Sequence, residues 1–248
     1  MSPYAFLVAV ALVGAQLAAT ARSKESSVLY TVTNAANNTA GGSRFETDIG
    51  AKVARLTMYA ATRSTWSVFN QTDESGSEER KKISAISLFI EDMTAGGENQ
   101  TAGGDPGILV GYAKGTSIHL NAHFIGNYSG NLRRQFNGVI YEKVASIWQW
   151  DARGEAPAGL ITGIAHYVRL QARYGTPEKV KPGEGERWDQ GNGVTARFLS
   201  YCNQLRSGFV ADMNRKLKHG YTDGYFLDLL KMPVDHVWSN YKAKYHYK

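Results

Sequence analysis

The chain has 248 residues, of which 43% are hydrophobic and 20% are charged. This composition excludes wholesale disorder and suits one sizeable domain or two small ones. The formal net charge of +6 would attract acidic partners, although a solvated, dispersed surface charge is the simpler explanation. Because no aromatic and basic motif accompanies the charge, we expect a small molecule or an acidic cell-wall polymer as partner, and no nucleic acid.

The first 21 residues predict a secretory signal peptide. Residues 4–19 are almost wholly apolar, and residues 19–21 form a small-x-small cleavage pattern. A membrane anchor over residues 3–21 is the alternative. We expect cleavage, a mature domain over residues 22–248 without membrane association, and secretion to the cell exterior.

Four N-glycosylation sequons agree with passage through the secretory route. Their asparagines are Asn37, Asn70, Asn99 and Asn127. Cys202 is the single cysteine, so no intramolecular disulfide can form. We expect Cys202 to be a buried small hydrophobe and the protein to be a monomer.

The N-terminal half predicts strands and one long helix. Residues 28–33 and 83–90 are rich in β-branched and apolar side chains, which is typical of strands. Apolar residues at helical spacing predict a helix over residues 45–68. Residues 94–116 are mostly Gly, Asn, Thr and Asp, which indicates a long irregular segment.

Alternating polar and apolar residues predict a further strand over residues 117–125. In a strand, His119 and His123 would point to the same side. Such a pair suits the lining of a cleft better than a metal site, because a metal would need an added carboxylate.

The C-terminal half predicts helices. Their ranges are 132–150, 158–174, 194–218, 223–230 and 234–245. Strands early in the chain and helices late predict one α+β domain, with a small mixed sheet in the N-terminal half and a mainly helical C-terminal half.

Long sequence words of the second half resemble the plant basic secretory proteins. They include Trp148-Gln149-Trp150, Tyr167-Val168-Arg169-Leu170, Arg187-Trp188-Asp189-Gln190-Gly191 and Val194-Thr195-Ala196-Arg197-Phe198-Leu199. The resemblance covers most of the mature chain. It implies a zincin-like domain of the gluzincin lineage and a secreted, defence-related plant protein of the apoplast.

The resemblance also implies where a zinc site would stand. The family's His-Glu-x-x-His lies directly before the Trp-Gln-Trp word, at positions held here by Glu142, Lys143 and Ser146. A second helix of the family supplies a Glu ligand and a neighbouring Asp, at positions held here by Thr162 and His166. Zinc catalysis needs three protein ligands and an open position for water. We therefore expect no metal, no cofactor and no zinc-peptidase activity.

Several functions remain open for the remodelled cleft. The first is a pseudo-peptidase with a binding or defence role. The plainer alternative to it is that Glu142, Lys143 and Ser146 are solvated helix residues and His166 is a satisfied polar residue. The second is a metal-free isomerase, cyclase or lyase of plant specialised metabolism, in which His166 exchanges protons, Glu142 orients it, and Lys143 stabilises an oxyanion or forms a Schiff base.

Two weaker alternatives also use this region. One is a decoy or inhibitor of active peptidases. The other is a Ser146–His166–Glu142 triad, which no strained nucleophile turn in the sequence supports.

Overall fold

The computed structural model describes residues 28–72, 78–93, 109–175 and 179–245. It contains a four-stranded mixed sheet with the order β1-β2-β4-β3, in which β3 runs antiparallel to β4 and the other pairs are parallel. The strands are β1 (Leu29–Asn34), β2 (Ala85–Glu91), β3 (Gly111–Lys114) and β4 (Ser117–Asn121). Strand β3 corrects the irregular segment expected over residues 94–116, of which residues 94–108 lie outside the described residues.

Among the described residues, two helices lie between β1 and β2, and the other helices follow β4. In chain order the helices are α1 (Ala40–Asp48), α2 (Gly50–Val68), α3 (Ala122–Asn127), α4 (Leu132–Trp148), α5 (Ala158–Gln171), α6 (Asn192–Leu205), α7 (Phe209–Lys216), α8 (Gly224–Leu230) and α9 (Val234–Lys244), with a short 3-10 turn at Ala152–Gly154. The predicted α+β domain, with its small early sheet and helical second half, is confirmed.

One face of the sheet lies against the helices. Ile86, Leu88 and Ile90 of β2 are fully buried, while the residues between them are partly exposed. Leu88 stands beside Val32 of β1 and Ile118 of β4, so apolar side chains form a row across three strands. The period of two along β2 therefore sets which face joins the core.

Two predicted helices are each divided in the structure. The helix expected over residues 45–68 is α1 followed by α2, and Gly50 at the junction has a φ of +74°. The helix expected over residues 194–218 is α6 followed by α7, with Gly208 at a φ of +81° between them. Glycine adopts this left-handed conformation without a steric penalty, so the chain turns there although the apolar spacing continues.

The strand expected over residues 117–125 is wrong beyond Asn121. The Oδ1 atom of Asn121 accepts a hydrogen bond from the backbone N–H of His123 at 3.0 Å and caps α3. Asparagine is a favoured N-cap because its side chain satisfies an otherwise unpaired N–H group. His123 is consequently a helix residue, and it does not continue the strand of His119.

The structure also shows the surroundings of other residues named in the sequence predictions. Asn37, Asn70 and Asn127 are exposed, as attachment of a glycan requires, whereas Asn99 and residues 1–21 lie outside the described residues. Cys202 is fully buried, as expected, and burial raises the pKa of its thiol well above the usual range. Among the helices of the described ranges, none combines the length and apolar character needed to cross a bilayer.

Candidate functional site

Helix α4 is enclosed in the centre of the domain. It packs against α2, α5 and β3, and most of its side chains are buried, including two ionisable ones. Glu142 is 4% exposed and Lys143 is 7% exposed. The interpretation of these residues as solvated helix positions is therefore wrong.

Helices α4 and α5 run antiparallel and form a contact that we call the α4–α5 seam. At the end nearest their connecting loop, Gln149 Nε2 donates to the carbonyl oxygen of Ile161 at 2.9 Å. At the opposite end, Arg169 Nη2 donates to Gln135 Oε1 at 3.0 Å. Glu142 lies between these two contacts.

Four buried side chains meet in the middle of the seam. Lys143 Nζ lies 2.6 Å from Glu142 Oε1, and Arg169 Nη1 lies 3.2 Å from Glu142 Oε2. His166 Nε2 lies 3.4 Å from the same Oε2 atom. We call Glu142, Lys143, His166 and Arg169 the charged cluster. One carboxylate thus serves as the shared partner of three basic side chains.

The pKa of Glu142 lies well below its ordinary value of 4.5. Burial by itself would raise this pKa, because it disfavours the charged carboxylate. Attraction to His166, Lys143 and Arg169, together with the His166 hydrogen bond, outweighs the burial. Glu142 is therefore ionised at neutral pH.

Arg169 was not among the residues that sequence reasoning selected for the cleft. It follows His166 by three positions, so both lie on the same face of α5. Space for its guanidinium comes from Gly138 of α4, where an added Cβ atom would stand 2.9 Å from Arg169 Nε and 3.0 Å from Cζ. The sequence signal that could have identified Arg169 is its position in an otherwise apolar helical stretch, about one turn after His166.

Ser146 and Thr162 are half-buried and make other contacts. Ser146 Oγ donates to the backbone oxygen of Glu142 at 3.1 Å. Thr162 Oγ1 donates to the oxygen of Gly159 at 3.3 Å and accepts from the N–H of Asn192 at 3.2 Å. In the described structure neither hydroxyl hydrogen-bonds to a side chain of the charged cluster, and the Ser146–His166–Glu142 triad is not formed.

The residues at the positions where the resemblance places a zinc site do not fit a zinc ion. Both carboxylate oxygens of Glu142 contact cationic or imidazole groups, and the ammonium of Lys143 lies where a dication would be repelled. Ser146 and Thr162 supply only hydroxyl groups that already bond to the backbone. Within the described ranges, no group of three or more His, Cys, Asp or Glu side chains is arranged to hold a metal.

His119 and His123 each pair with a carboxylate that is not part of the charged cluster. His119 Nδ1 is 2.9 Å from Glu91 Oε2, and His123 Nε2 is 2.8 Å from Asp92 Oδ1. Because His123 belongs to α3, the expected same-side pair on one strand does not exist.

Comparisons with known proteins agree with the sequence words. The family model BSP, described as peptidase of plants and bacteria, matches residues 25–241. A segment of 58 residues is 41% identical to the "Basic secretory protease" of Boswellia serrata, covering 23% of this chain and 66% of that relative. No solved structure matches. Since the family model spans most of the chain and includes the whole α4–α5 seam, this protein belongs to the BSP family of peptidases of plants and bacteria.

Proposed function

We propose that this protein is a pseudo-peptidase, a BSP-family member that binds a ligand in the old cleft and does not hydrolyse peptides with zinc. The observation that carries this proposal is the ion pair of Lys143 with Glu142 at 2.6 Å. In the family pattern, position 142 is a histidine ligand and position 143 is the glutamate that activates water. Here the ligand position holds an anion and the base position holds the cation that neutralises it.

The chemistry of these two positions opposes zinc-dependent hydrolysis. A catalytic zinc lowers the pKa of its bound water, and a nearby carboxylate accepts the proton. The ammonium of Lys143 has no lone pair for that proton, and it repels both the metal and a protonated intermediate. Arg169 adds a second permanent cation 3.2 Å from Glu142.

A secreted, defence-related binding role in the plant apoplast completes the proposal. The apolar N-terminus with its cleavage pattern and the exposed asparagines of three sequons support secretion. The net charge of +6 would favour acidic wall polymers at the cell surface.

Metal content and peptide hydrolysis test the proposal together. The purified protein is incubated with zinc, desalted and examined by plasma mass spectrometry, and its hydrolysis of casein is measured beside that of the Boswellia serrata relative. We expect substoichiometric zinc and no zinc-dependent hydrolysis. One zinc per chain that disappears in Glu142→Gln, together with chelator-sensitive hydrolysis, would show that the protein is a peptidase.

A variant that restores the family pattern sharpens this experiment. The five substitutions Glu142→His, Lys143→Glu, Ser146→His, Thr162→Glu and His166→Asp rebuild the ligand set in the same scaffold. We expect this variant to gain zinc binding, whereas the same variant with Lys143 retained should bind zinc more weakly. Equal zinc binding by both would mean that Lys143 does not exclude the metal.

A metal-free enzyme is the second candidate, and the state of His166 favours it. One ring nitrogen, Nε2, faces Glu142, while Nδ1 is buried without a hydrogen-bond partner among the described residues. A carboxylate-oriented imidazole with one free nitrogen is suited to proton transfer. Incubation of the protein with plant metabolite extracts should then yield products that are absent with His166→Gln. An identical product profile would remove this candidate. The decoy hypothesis is tested by adding the protein to a zinc peptidase of the family and measuring whether hydrolysis of casein falls.

A further inference from the structure

The charged cluster contains more positive than negative charge. Lys143 and Arg169 are cationic, and Glu142 is the one carboxylate that contacts them in the described structure. The side chains of these residues are 8%, 1% and 6% exposed, respectively. An unbalanced charge at such burial is costly, because water cannot solvate it. One further negative charge would balance the two cations even with His166 neutral.

The cluster also contains more hydrogen-bond donors than acceptors. An ammonium has three N–H donors, and Lys143 Nζ has a single hydrogen bond in the described structure, to Glu142. Arg169 Nε is a buried donor without a partner among the described residues. His166 Nδ1 is also unpartnered there, and it is a donor only when the ring is protonated. Buried polar groups are ordinarily paired, so the unpaired donors of Lys143 and Arg169 indicate a missing acceptor.

The loop end of the seam offers the more open approach to these donors. Ser146 follows Glu142 by one helical turn, and Thr162 precedes His166 by one turn. Because the helices are antiparallel, both hydroxyl residues lie on the loop side of the charged cluster. Both are half-buried, whereas the four cluster residues are buried. A small ligand that enters beside these hydroxyls would meet Lys143 and His166 before Arg169.

We propose that the charged cluster binds the carboxylate group of a small organic acid, with the ammonium of Lys143 as its principal donor. A carboxylate supplies the single negative charge and the acceptor atoms that the cluster lacks. Ser146 and Thr162 then contact the part of the acid nearest the loop. The inference rests on the proposed function, since it requires a cleft without zinc.

The test uses acetate as the probe, with phosphate and chloride as comparison anions at constant ionic strength. Thermal unfolding and isothermal titration calorimetry are measured for the full mature protein. We expect acetate to bind saturably at one site per chain and to raise the melting temperature. Chloride should produce no saturable shift, and stronger binding of phosphate than of acetate would contradict the assignment to a carboxylate.

Matched variants locate the binding site. Lys143→Met should weaken acetate binding by about ten- to a hundredfold, the usual value of a hydrogen bond to a charged group. Lys52→Met makes the same change on the exposed surface of α2 and should leave binding unchanged. Equal binding by wild type and Lys143→Met, or no saturable binding by wild type, would overturn the inference.

A spectroscopic measurement covers the case in which Lys143→Met does not fold. The fluorine resonance of trifluoroacetate should broaden with wild-type protein and sharpen again when acetate displaces it. Absence of that broadening also overturns the inference. Stoichiometric zinc would refute the proposed function itself. A protein that binds neither zinc nor acetate would refute the carboxylate site and leave the proposed function standing.

Discussion

Two histidine–carboxylate pairs of this protein have similar geometry and different surroundings. His166 and Glu142 lie 3.4 Å apart in the seam, with side chains 3% and 6% exposed. His119 and Glu91 lie 2.9 Å apart on the sheet, with side chains 19% and 33% exposed. We expect the shorter pair to contribute less to stability, because its side chains are more exposed to water. Burial, more than distance, should decide what each contact contributes.

The two histidines also differ in what else holds them. The ring of His119 stacks between Phe89 of β2 and Tyr112 of β3, at centroid distances of 5.2 and 4.8 Å. These apolar contacts keep the ring in place without its carboxylate. In the seam, by contrast, Glu142 is the common partner of three basic groups, so its loss would leave all of them without a counter-charge.

The largest effect is expected from removing the charge of Glu142. Glu142→Gln leaves Lys143 and Arg169 buried without an anion, so the free energy of unfolding should fall by about 3–5 kcal/mol. Urea denaturation of the purified protein measures this loss. The control Glu91→Gln, on the sheet, should cost no more than about 1 kcal/mol. Similar losses of unfolding free energy for Glu142→Gln and Glu91→Gln would mean that burial does not set the contribution of these two pairs.

A methyl group at Gly138 should have the next largest effect. An alanine Cβ would stand 2.9 Å from Arg169 Nε, so the guanidinium must move away from Glu142. We expect Gly138→Ala to destabilise the fold by about 1–3 kcal/mol, although alanine is ordinarily the better helix residue.

Gly224→Ala serves as the control for Gly138→Ala. Gly224 is exposed at the start of α8, and an added Cβ would lie 3.4 Å from Thr222 Oγ1. This variant should be neutral or slightly stabilising. A gain in stability for Gly138→Ala as well would mean that Arg169 is not held at this position.

The stability of the seam should depend on pH in the acidic range. The folded-state pKa of Glu142 is depressed below 4.5. At pH values between that folded-state pKa and 4.5, the unfolded chain therefore binds more protons than the folded one. The contribution of Glu142 is therefore complete above pH 4.5 and is lost as the pH falls through the folded-state pKa. One proton gives a slope of at most about 1.4 kcal/mol per pH unit.

Denaturation profiles between about pH 3 and 6 measure this dependence. The difference between wild type and Glu142→Gln isolates the contribution of Glu142 from that of other carboxylates. Parallel profiles for the two proteins would mean that the carboxylate is not stabilised by the cluster.

The smallest effect is expected at His123. Its pair with Asp92 is exposed, with side chains 54% and 45% accessible, so His123→Gln should change the free energy of unfolding by less than about 1 kcal/mol. A loss as large as that of Glu142→Gln would show that α3 depends on this ion pair.

Much of the fold could be predicted because its signals are local. The apolar spacing that predicts α5 and the run of apolar and β-branched residues that predicts β2 depend on neighbours along the chain. The errors arose where one residue overrides such a pattern, as Gly50 and Gly208 do by adopting positive φ and Asn121 does by capping α3. These conformations depend on single backbone positions, which periodicity does not register.

The sequence by itself determined the family, because long sequence words can be read without coordinates. The resemblance also led us to expect that the zinc-binding residues of the family are replaced here. Only the tertiary structure decided what the replacements form. In the folded domain, Glu142 and Lys143 are buried, and Arg169 contacts Glu142 while its guanidinium lies beside Gly138. Thr162 Oγ1 accepts a hydrogen bond from Asn192. The physical reason is that an ion pair or a close approach depends on how two helices pack, and that packing is a property of the whole domain.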